Sequence, residues 1–382
     1  MFPQVYNGTG PRALARSQDF SFGYPDGVVI SDLVPDHMKE YVHSHWMQFP
    51  PVNPMIHYIL GVVYLFLGMA AICGNGMVLY VFLKTKTLRT PNNLLVVNLS
   101  FSDFCMLLSQ FPWFIWNCFM GGVWYFSPFM CELYACLGAV TGLCSLWSLV
   151  FISYDRFNVI VRGMTGTKLT NGLAFAMILF CWAYAILMSI FPFIGFGRYI
   201  PEGILDSCSF DYLTRDWSIR GHGLVLFIGC YCVPLTCIAY FYVAIIKAIC
   251  AHEAAMRAQA KKMNVTNLRS SGESEGDSAE VRIAKVAVTN VSLWLICWTP
   301  YAAIVMQGLF GNQATITPLV SMLPALLAKS ASCYNPMIYA ISHPRYRMAL
   351  QKELPWLCIH EPESSSKASN DSQSTVTKDE KE

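Results

Sequence analysis

The chain has 382 residues, of which 54% are hydrophobic and 13% are charged, and its formal net charge is +2. Soluble domains carry about a quarter charged residues, so this composition excludes an ordinary soluble protein and indicates helices that span a lipid bilayer. The small net charge, without a basic cluster interleaved with aromatic residues, argues against a nucleic-acid partner.

Seven mostly apolar runs predict an all-α membrane protein built as a seven-helix bundle. Each run has about 20 residues or more, the length that crosses a bilayer as an α-helix. The predicted spans are 55–83, 92–119, 128–161, 173–197, 217–250, 281–309 and 317–341. The bundle is therefore expected to occupy residues 55–343, behind an extracellular amino-terminal tail of residues 1–54.

Positively charged residues between the predicted spans indicate the orientation. The first connection holds Lys84, Lys86 and Arg89, and the long connection between the fifth and sixth spans holds Arg257 and Lys261 among others. The second-to-third and sixth-to-seventh connections hold no lysine or arginine. Because cytosolic loops are enriched in these residues, the amino terminus is predicted to be extracellular and the carboxyl terminus cytosolic.

The segments that flank the bundle carry candidate modification sites. Asn7 begins an Asn-Gly-Thr glycosylation motif in the extracellular tail. After the seventh span, residues 344–356 predict a short amphipathic helix on the inner membrane surface. Cys358 follows as either a palmitoylation site or an unmodified thiol. Residues 357–382 are polar and rich in serine and threonine, which predicts a disordered cytosolic tail that is either solubilising or phosphorylated.

One charged side chain, Lys329, interrupts the seventh apolar run. It is the only Lys, Arg, Asp or Glu between Lys285 and Arg345. At the helix midpoint it lies roughly 18 Å along the axis from either end, so a side chain that reaches about 6 Å cannot bring the ammonium group to the interface. A charge at that depth costs about 3 kcal/mol. An ion pair with a carboxylate, a neutral amine or a covalent Schiff base would each lower this cost.

The ion-pair alternative has few partners within the predicted spans. Asp103 in the second span and Asp155 near the cytosolic end of the third are the clear intramembrane acids. The residues alone therefore leave a buried structural ion pair open beside the covalent alternative.

Short motifs in each predicted helix separate these alternatives. In chain order they are Gly74-Asn75, Asn98 with Asp103, Asp155-Arg156-Phe157, Trp182, Pro234, Cys297-Trp298-Thr299-Pro300 and Asn335-Pro336-Met337-Ile338-Tyr339. Together they resemble the rhodopsin-like class of G-protein-coupled receptors over about residues 55–356. In the opsins of that class, the lysine that carries retinal lies seven residues before the proline of the NPxxY motif, and Lys329 and Pro336 have this spacing. The chain therefore resembles the opsin family.

Further similarities indicate a subgroup of opsins. The stretches His252–Val265 and His343–Arg347 resemble the rhabdomeric visual opsins of arthropods, and Trp46–Pro54 resembles their middle- to long-wavelength group. Insect ultraviolet opsins are associated with a lysine in the outer half of the second helix, and none occurs between Asp103 and Met120. The resemblance implies a visual photoreceptor of the rhabdomeric cell membrane and not an enzyme.

The resemblance also implies a cofactor and partners. The chromophore 11-cis retinal, or the related 3-hydroxyretinal, is expected as a Schiff base on Lys329, where light isomerises it to the all-trans form. Besides membrane lipid, the expected partner is a heterotrimeric G protein of Gq type, bound through the second and third cytosolic loops. Arrestin and a receptor kinase are expected to act at the cytosolic tail.

A protonated Schiff base is a buried cation that needs an anion nearby. The family places this counterion either three residues after the third-helix cysteine, here Tyr134, or six residues before the cysteine of the second outer loop, here Glu202. Tyrosine is neutral at pH 7, so Tyr134 is expected only to form hydrogen bonds. Glu202 is expected to supply the charge through water or neighbouring hydroxyl groups. A solvated loop acid is the alternative for Glu202, and Glu132 is a rival counterion.

The resemblance assigns structural roles around the chromophore. Cys131 and Cys208 are expected to form a disulfide that holds the second outer loop over the bundle. Trp298 is expected to pack beside the chromophore, with Tyr301 one turn outward. Simple core packing is the alternative for both aromatic residues.

The resemblance also assigns a cytosolic switch. Asp155, with help from Glu280, is expected to hold Arg156 until activation moves the sixth helix outward. Phe157 replaces the commoner tyrosine of this motif and leaves the charge pair in place. The switch is expected to include Asn335, Pro336 and Tyr339 of the seventh helix.

A polar line is expected to run through the bundle. Its members are Asn75, Asp103, Ser332 and Asn335. Buried polar groups without partners are costly, so ordered water or a sodium ion is expected among them.

Three other classes of membrane protein differ from this chain at identifiable points. A receptor for a diffusible agonist would share the helix motifs but would not need Lys329. A microbial light-driven pump also uses a lysine in its seventh helix but lacks the NPxxY and Asp-Arg-Phe motifs. A transporter would show paired repeats and interrupted helices, which the sequence does not show.

Overall fold

The computed structural model describes residues 24–25, 27–262, 279–342 and 344–357. The helices are α1 (Pro54–Lys84), α2 (Pro91–Met120), α3 (Pro128–Phe157), α4 (Asn171–Ser189), α5 (217–262), α6 (Ala279–Phe310), α7 (318–342) and α8 (Pro344–Glu353). Helix α5 consists of Trp217–Phe227, a π-helical turn at Ile228–Cys232 and Val233–Lys262. Helix α7 consists of Pro318–Ser330, a 3₁₀ turn at Ala331–Cys333 and Tyr334–Ser342. Within the described residues, six helices are long and apolar enough to cross a membrane, and α7 adds a seventh in two segments. The predicted seven-helix bundle with a short eighth helix is confirmed.

Local sequence fixes where four of the spanning helices begin. Each starts with a proline, whose missing N–H costs nothing in the first turn of a helix. The residue before that proline caps the helix by accepting a hydrogen bond from a backbone amide of the first turn. These pairs are Asn53-Pro54, Thr90-Pro91, Ser127-Pro128 and Thr317-Pro318.

Three spans that were predicted as continuous change their geometry. The third span passes from α3 into a π-helical turn at Asn158–Arg162, and a proline explains the changes in α5 and α7. The ring of a proline within a helix clashes with the carbonyl four residues earlier. For Pro234 in α5, that carbonyl belongs to Cys230, inside the π-helical turn. For Pro336 in α7, it belongs to Ser332, inside the 3₁₀ turn. The 3₁₀ turn of α7 begins two residues after Lys329.

The fourth span is shorter than predicted. Residues 173–197 were expected to be one helix, but α4 ends at Ser189 and a separate 3₁₀ turn covers Phe191–Ile194. Pro192 lies in that turn, and Gly195 closes it with a left-handed φ of 87°. A proline followed by a left-handed glycine is a typical signal for the end of a helix.

The end of the bundle at which α1 begins is covered by elements that the apolar pattern did not predict. Strands β1 (Tyr199–Glu202) and β2 (Ser207–Phe210) form an antiparallel hairpin in which Pro201 pairs with Cys208. Three 3₁₀ turns between residues 30 and 48 pack above it, and Met38 and Trp46 are fully buried there. The part of the amino-terminal tail next to α1 is therefore an integral layer of the fold.

Candidate functional site

A cavity lies beneath the β1–β2 hairpin, between α3, α5, α6 and α7. Most of its wall is apolar or aromatic. The wall includes Gly138, Gly142, Phe227, Trp298, Glu202 and Lys329. A wall of this kind with a single primary amine suits a long apolar ligand that reacts with amines.

Lys329 directs its amine into the cavity from α7. Its Nζ atom donates a hydrogen bond of 2.8 Å to the Tyr134 hydroxyl on α3. The same atom lies 4.9 Å from the centroid of the Tyr134 ring and 5.8 Å from that of Phe114. Among the described residues, no carboxylate forms an ion pair with Lys329. The direct structural ion pair that the sequence left open is therefore not found there.

Tyr134 is held rigidly in front of Lys329. The side chain is 2% exposed, and its ring packs edge-on against Trp124 at 5.1 Å between centroids. Gln110 on α2 donates a hydrogen bond of 2.7 Å to the Tyr134 backbone carbonyl. These contacts fix the position of the hydroxyl that meets the amine.

Glu202 ends strand β1 and is buried rather than solvated. Its side chain is 4% exposed, and Tyr301 on α6 donates a hydrogen bond of 3.3 Å to its Oε2 atom. The Tyr301 hydroxyl is also 2.5 Å from that of Ser209. Burial raises the pKa of Glu202 to about 7, although the positive charge of Lys329 and the hydrogen bond from Tyr301 oppose the rise. The rival acid, Glu132, is partly exposed on α3.

A disulfide between Cys131 and Cys208 fastens the hairpin to the outer end of α3, with 5.5 Å between the Cα atoms. Two hydrogen bonds hold the turn of the hairpin as well. The Trp124 amide donates to the Leu205 carbonyl at 2.5 Å, and Asn117 donates to the Asp206 carbonyl at 2.8 Å. The hairpin is therefore tied to α2, to α3 and to the segment between them, and it separates the cavity from the outside.

Trp298 lies between this cavity and a smaller one beneath it, because its side chain lines both. It stacks on Trp294 at 5.4 Å between centroids and meets Tyr301 edge-on at 6.5 Å. The smaller cavity has a volume of about 10 Å³, which is close to the space that one water molecule needs.

The lower cavity is built around Asp103. This carboxyl group accepts hydrogen bonds from Asn335 at 2.6 Å, Ser145 at 2.6 Å and Ser332 at 3.2 Å. Asn75 donates to the Ser332 carbonyl at 2.9 Å. The structure therefore brings the four residues of the expected polar line into one network.

The carboxyl-terminal end of α3 carries the buried pair Asp155 and Arg156. Arg156 donates from Nε, at 3.1 Å, and from Nη2 to the same Asp155 oxygen. Asn92 on α2 donates to that oxygen at 2.9 Å. Pro336 packs closely against α1, since a side chain at Gly74 would lie 3.0 Å from it.

Some predicted residues fall outside what the structure describes. Glu280 and Tyr339 lie on α6 and α7, but the description does not extend to their side chains. Asn7 and Cys358 lie outside the described residues altogether.

One buried acid at this site was missed by the sequence argument. Asp206, two residues before Cys208, is 0% exposed. It was not singled out because it belongs to a loop, where acids are commonly solvated. Its burial was indicated by its position two residues before Cys208, which was expected to form a disulfide with α3.

Comparison with known proteins identifies the family. The family described as "7 transmembrane receptor (rhodopsin family)" matches residues 74–339. A compound eye opsin of Hemigrapsus sanguineus is 57% identical over 374 residues, which are 98% of this chain and 99% of the relative. The lateral eye opsin of Limulus polyphemus is 45% identical over 94% of this chain and 96% of the relative.

A solved structure agrees with this. The crystal structure of squid rhodopsin is 37% identical, superposes with a TM-score of 0.78, and covers 86% of this chain and 95% of the squid chain. The chain therefore belongs to the rhodopsin family of seven-transmembrane receptors and, within it, to the opsins, so it is a multi-pass membrane receptor of the visual photoreceptor type rather than an enzyme.

Proposed function

We propose that this opsin binds 11-cis retinal, or 3-hydroxyretinal, through a Schiff base on Lys329 and passes the light signal to a Gq-type heterotrimeric G protein. One observation carries the proposal. The Lys329 amine ends in a mostly apolar cavity, hydrogen-bonded to a tyrosine and without an ion pair among the described residues. A lysine with a purely structural role would be expected to have a carboxylate partner at hydrogen-bonding distance.

Retinal, when bound, supplies the absorption of light and the change of shape from 11-cis to all-trans. The residues of the chain hold and protect it. The apolar wall and the disulfide-bound hairpin keep water away from the linkage to Lys329. Trp298 lies against the ligand space and in the wall of the lower cavity, so pressure on it is transmitted towards Asp103.

Charge at the linkage is balanced within the same site. Tyr134 accepts the hydrogen bond from the nitrogen of Lys329, and Glu202 provides the negative charge. Tyr301 and Ser209 connect Glu202 to the wall of the cavity. The counterion therefore acts on Lys329 through space and through hydroxyl groups, without direct contact.

Signalling uses the buried charge pair at the cytosolic end. Asp155 holds Arg156 in the inactive state, with help from Glu280 on α6. Outward movement of α6 frees Arg156 for the G protein, and Asn335, Pro336 and Tyr339 of α7 move with it. The second and third cytosolic loops contact the G protein, while arrestin and a receptor kinase act on residues 357–382.

This assignment fits a rhabdomeric membrane with an extracellular amino terminus and a cytosolic carboxyl terminus. The asymmetric distribution of Lys and Arg supports the orientation. In that orientation Asn7 is available for glycosylation and Cys358 for palmitoylation.

An absorption spectrum tests the proposal. The purified protein is incubated with 11-cis retinal and, separately, with 3-hydroxyretinal, and is expected to develop a visible band. Lys329→Ala is expected to lose the band, whereas Lys39→Ala, at an exposed outer lysine, is expected to keep it. A Lys329→Ala protein that forms the same pigment would overturn the assignment.

A further inference from the structure

Asp206, in the turn between β1 and β2, is a buried acid whose oxygens are poorly partnered. Its side chain is 0% exposed, and its Oδ1 atom has no hydrogen-bond partner among the described residues. Its Oδ2 atom accepts a long contact of 3.7 Å from the Cys118 thiol on α2. Burying a carboxyl group in this state is costly unless positive charge nearby offsets the cost.

Another acid in the same loop shows what a fully partnered carboxylate looks like here. Asp211 binds Arg198 at 2.7 Å and accepts hydrogen bonds from the backbone amides of Leu213 at 2.8 Å and Thr214 at 3.0 Å. Asp211 therefore has the contacts of a structural acid, and Asp206 does not.

His57 on α1 is a basic side chain beside Asp206. Its Nδ1 atom lies 3.8 Å from Asp206 Oδ2, which is an ion-pair distance but not a hydrogen bond, and its side chain is buried. The ring packs close to Gly122, because a Cβ atom added at that residue would lie 2.8 Å from it. His57 therefore leaves Asp206 without a hydrogen bond from this basic side chain.

One face of α2 connects Asp206 with the surroundings of Lys329. Cys118, which contacts Asp206, lies one helical turn beyond Phe114, and the Lys329 amine lies 5.8 Å from the Phe114 ring. Residues four apart on a helix share one face, so this face of α2 leads from the amine to Asp206. The titratable groups around Asp206 are His57 on α1, Cys118 on α2, Tyr134 on α3, Lys329 on α7 and Glu202 on β1.

We propose that Asp206 is a second counterion for the cation on Lys329. This inference rests on the proposed function and adds one residue to it. Glu202 then acts on the linkage from the side of α6, through Tyr301, and Asp206 acts from the side of α1 and α2. One hairpin thus supplies both negative charges.

Replacing Asp206 changes the pigment in two ways. Asp206 stabilises the cation at the linkage, so Asp206→Asn lowers the pH at which the visible band is half lost by about one unit, the size expected for one charge in a partly screened site. It also shifts the absorption maximum to longer wavelength, because light moves positive charge away from the linkage.

The experiment compares alkaline titrations and spectra of pigments formed with 11-cis retinal. Asp206→Glu is expected to resemble the wild type, and Asp36→Asn, at an exposed acid on the same side of the membrane, is expected to leave the midpoint and the maximum unchanged.

The outcomes separate this inference from the proposed function. A wild-type protein that forms no visible band overturns the proposed function itself. A wild-type band with an unchanged Asp206→Asn pigment overturns the second counterion alone. If Asp206→Asn does not fold, Asp206→Ser decides: a lowered midpoint supports the second counterion, and an unchanged midpoint overturns it.

Discussion

The hydrogen bond between Lys329 and Tyr134 gives the sharpest quantitative prediction. Tyr134→Phe removes one hydroxyl group and keeps the ring that packs against Trp124. The bond is 2.8 Å long, and a linked nitrogen on Lys329 retains one N–H that can donate it. A hydrogen bond to a charged group contributes about 1.5–3 kcal/mol, and about 1.4 kcal/mol corresponds to one pH unit. The midpoint of alkaline loss of the visible band should therefore fall by about one to two units.

The assay is a titration of the purified pigment in the dark, followed by absorbance. Tyr64→Phe is the matched control, because Tyr64 is also fully buried and its hydroxyl has no hydrogen-bond partner among the described residues. That control should leave the midpoint unchanged. Equal midpoints for Tyr134→Phe and the wild type would show that the Tyr134 hydroxyl does not stabilise the cation on Lys329.

Three further predictions concern pH, the disulfide and the cytosolic switch. In the folded protein the pKa of Glu202 is raised from 4.5 to about 7. Between these two pH values the folded, retinal-free protein therefore holds a proton that the unfolded chain releases. The stabilisation from this group is complete below about pH 4.5 and is lost as the pH rises through about 7. The Tm of the retinal-free protein should accordingly fall between pH 5 and pH 8, and Glu202→Gln should flatten that dependence; an unchanged slope would contradict it. Cys208→Ala removes the disulfide between residues that are 77 apart in sequence and should lower the free energy of unfolding by about 2–5 kcal/mol. The expected readouts are a lower Tm and faster loss of the pigment in the dark. Cys73→Ala, at an exposed free cysteine, should change neither. Asp155→Asn weakens the hold on Arg156 and should raise nucleotide exchange on the G protein in the dark several-fold; dark exchange equal to that of the wild type would argue against this pair as the switch.

Much of the fold could be predicted because its signals are local. An apolar run of about 20 residues has to become a helix in a bilayer, where every backbone polar group needs an internal partner. The cap-and-proline pairs fix helix starts within one residue or two, as at Ser127-Pro128 for α3. Lys329 was recognisable because a charge in such a run is conspicuous, and its spacing to Pro336 linked it to a known family.

The interruptions and the outer layer could not be predicted in the same way. Pro234 and Pro336 signal a disturbed helix, but the choice of a π-helical turn in α5 and a 3₁₀ turn in α7 depends on neighbouring helices. The hairpin strands have four residues each. They are too short, and too evenly buried, to show the alternation that marks a strand.

The sequence by itself therefore determined the spanning helices, the lysine and the family, since each depends on residues close together in the chain. Only the tertiary structure decided which groups surround the lysine amine. Tyr134 meets Lys329 from a different helix, Glu202 is buried because a disulfide holds its loop inward, and Asp206 faces His57 across the bundle. Whether a loop acid is solvated or buried depends on what packs above it, and that contact is set by the folded chain as a whole.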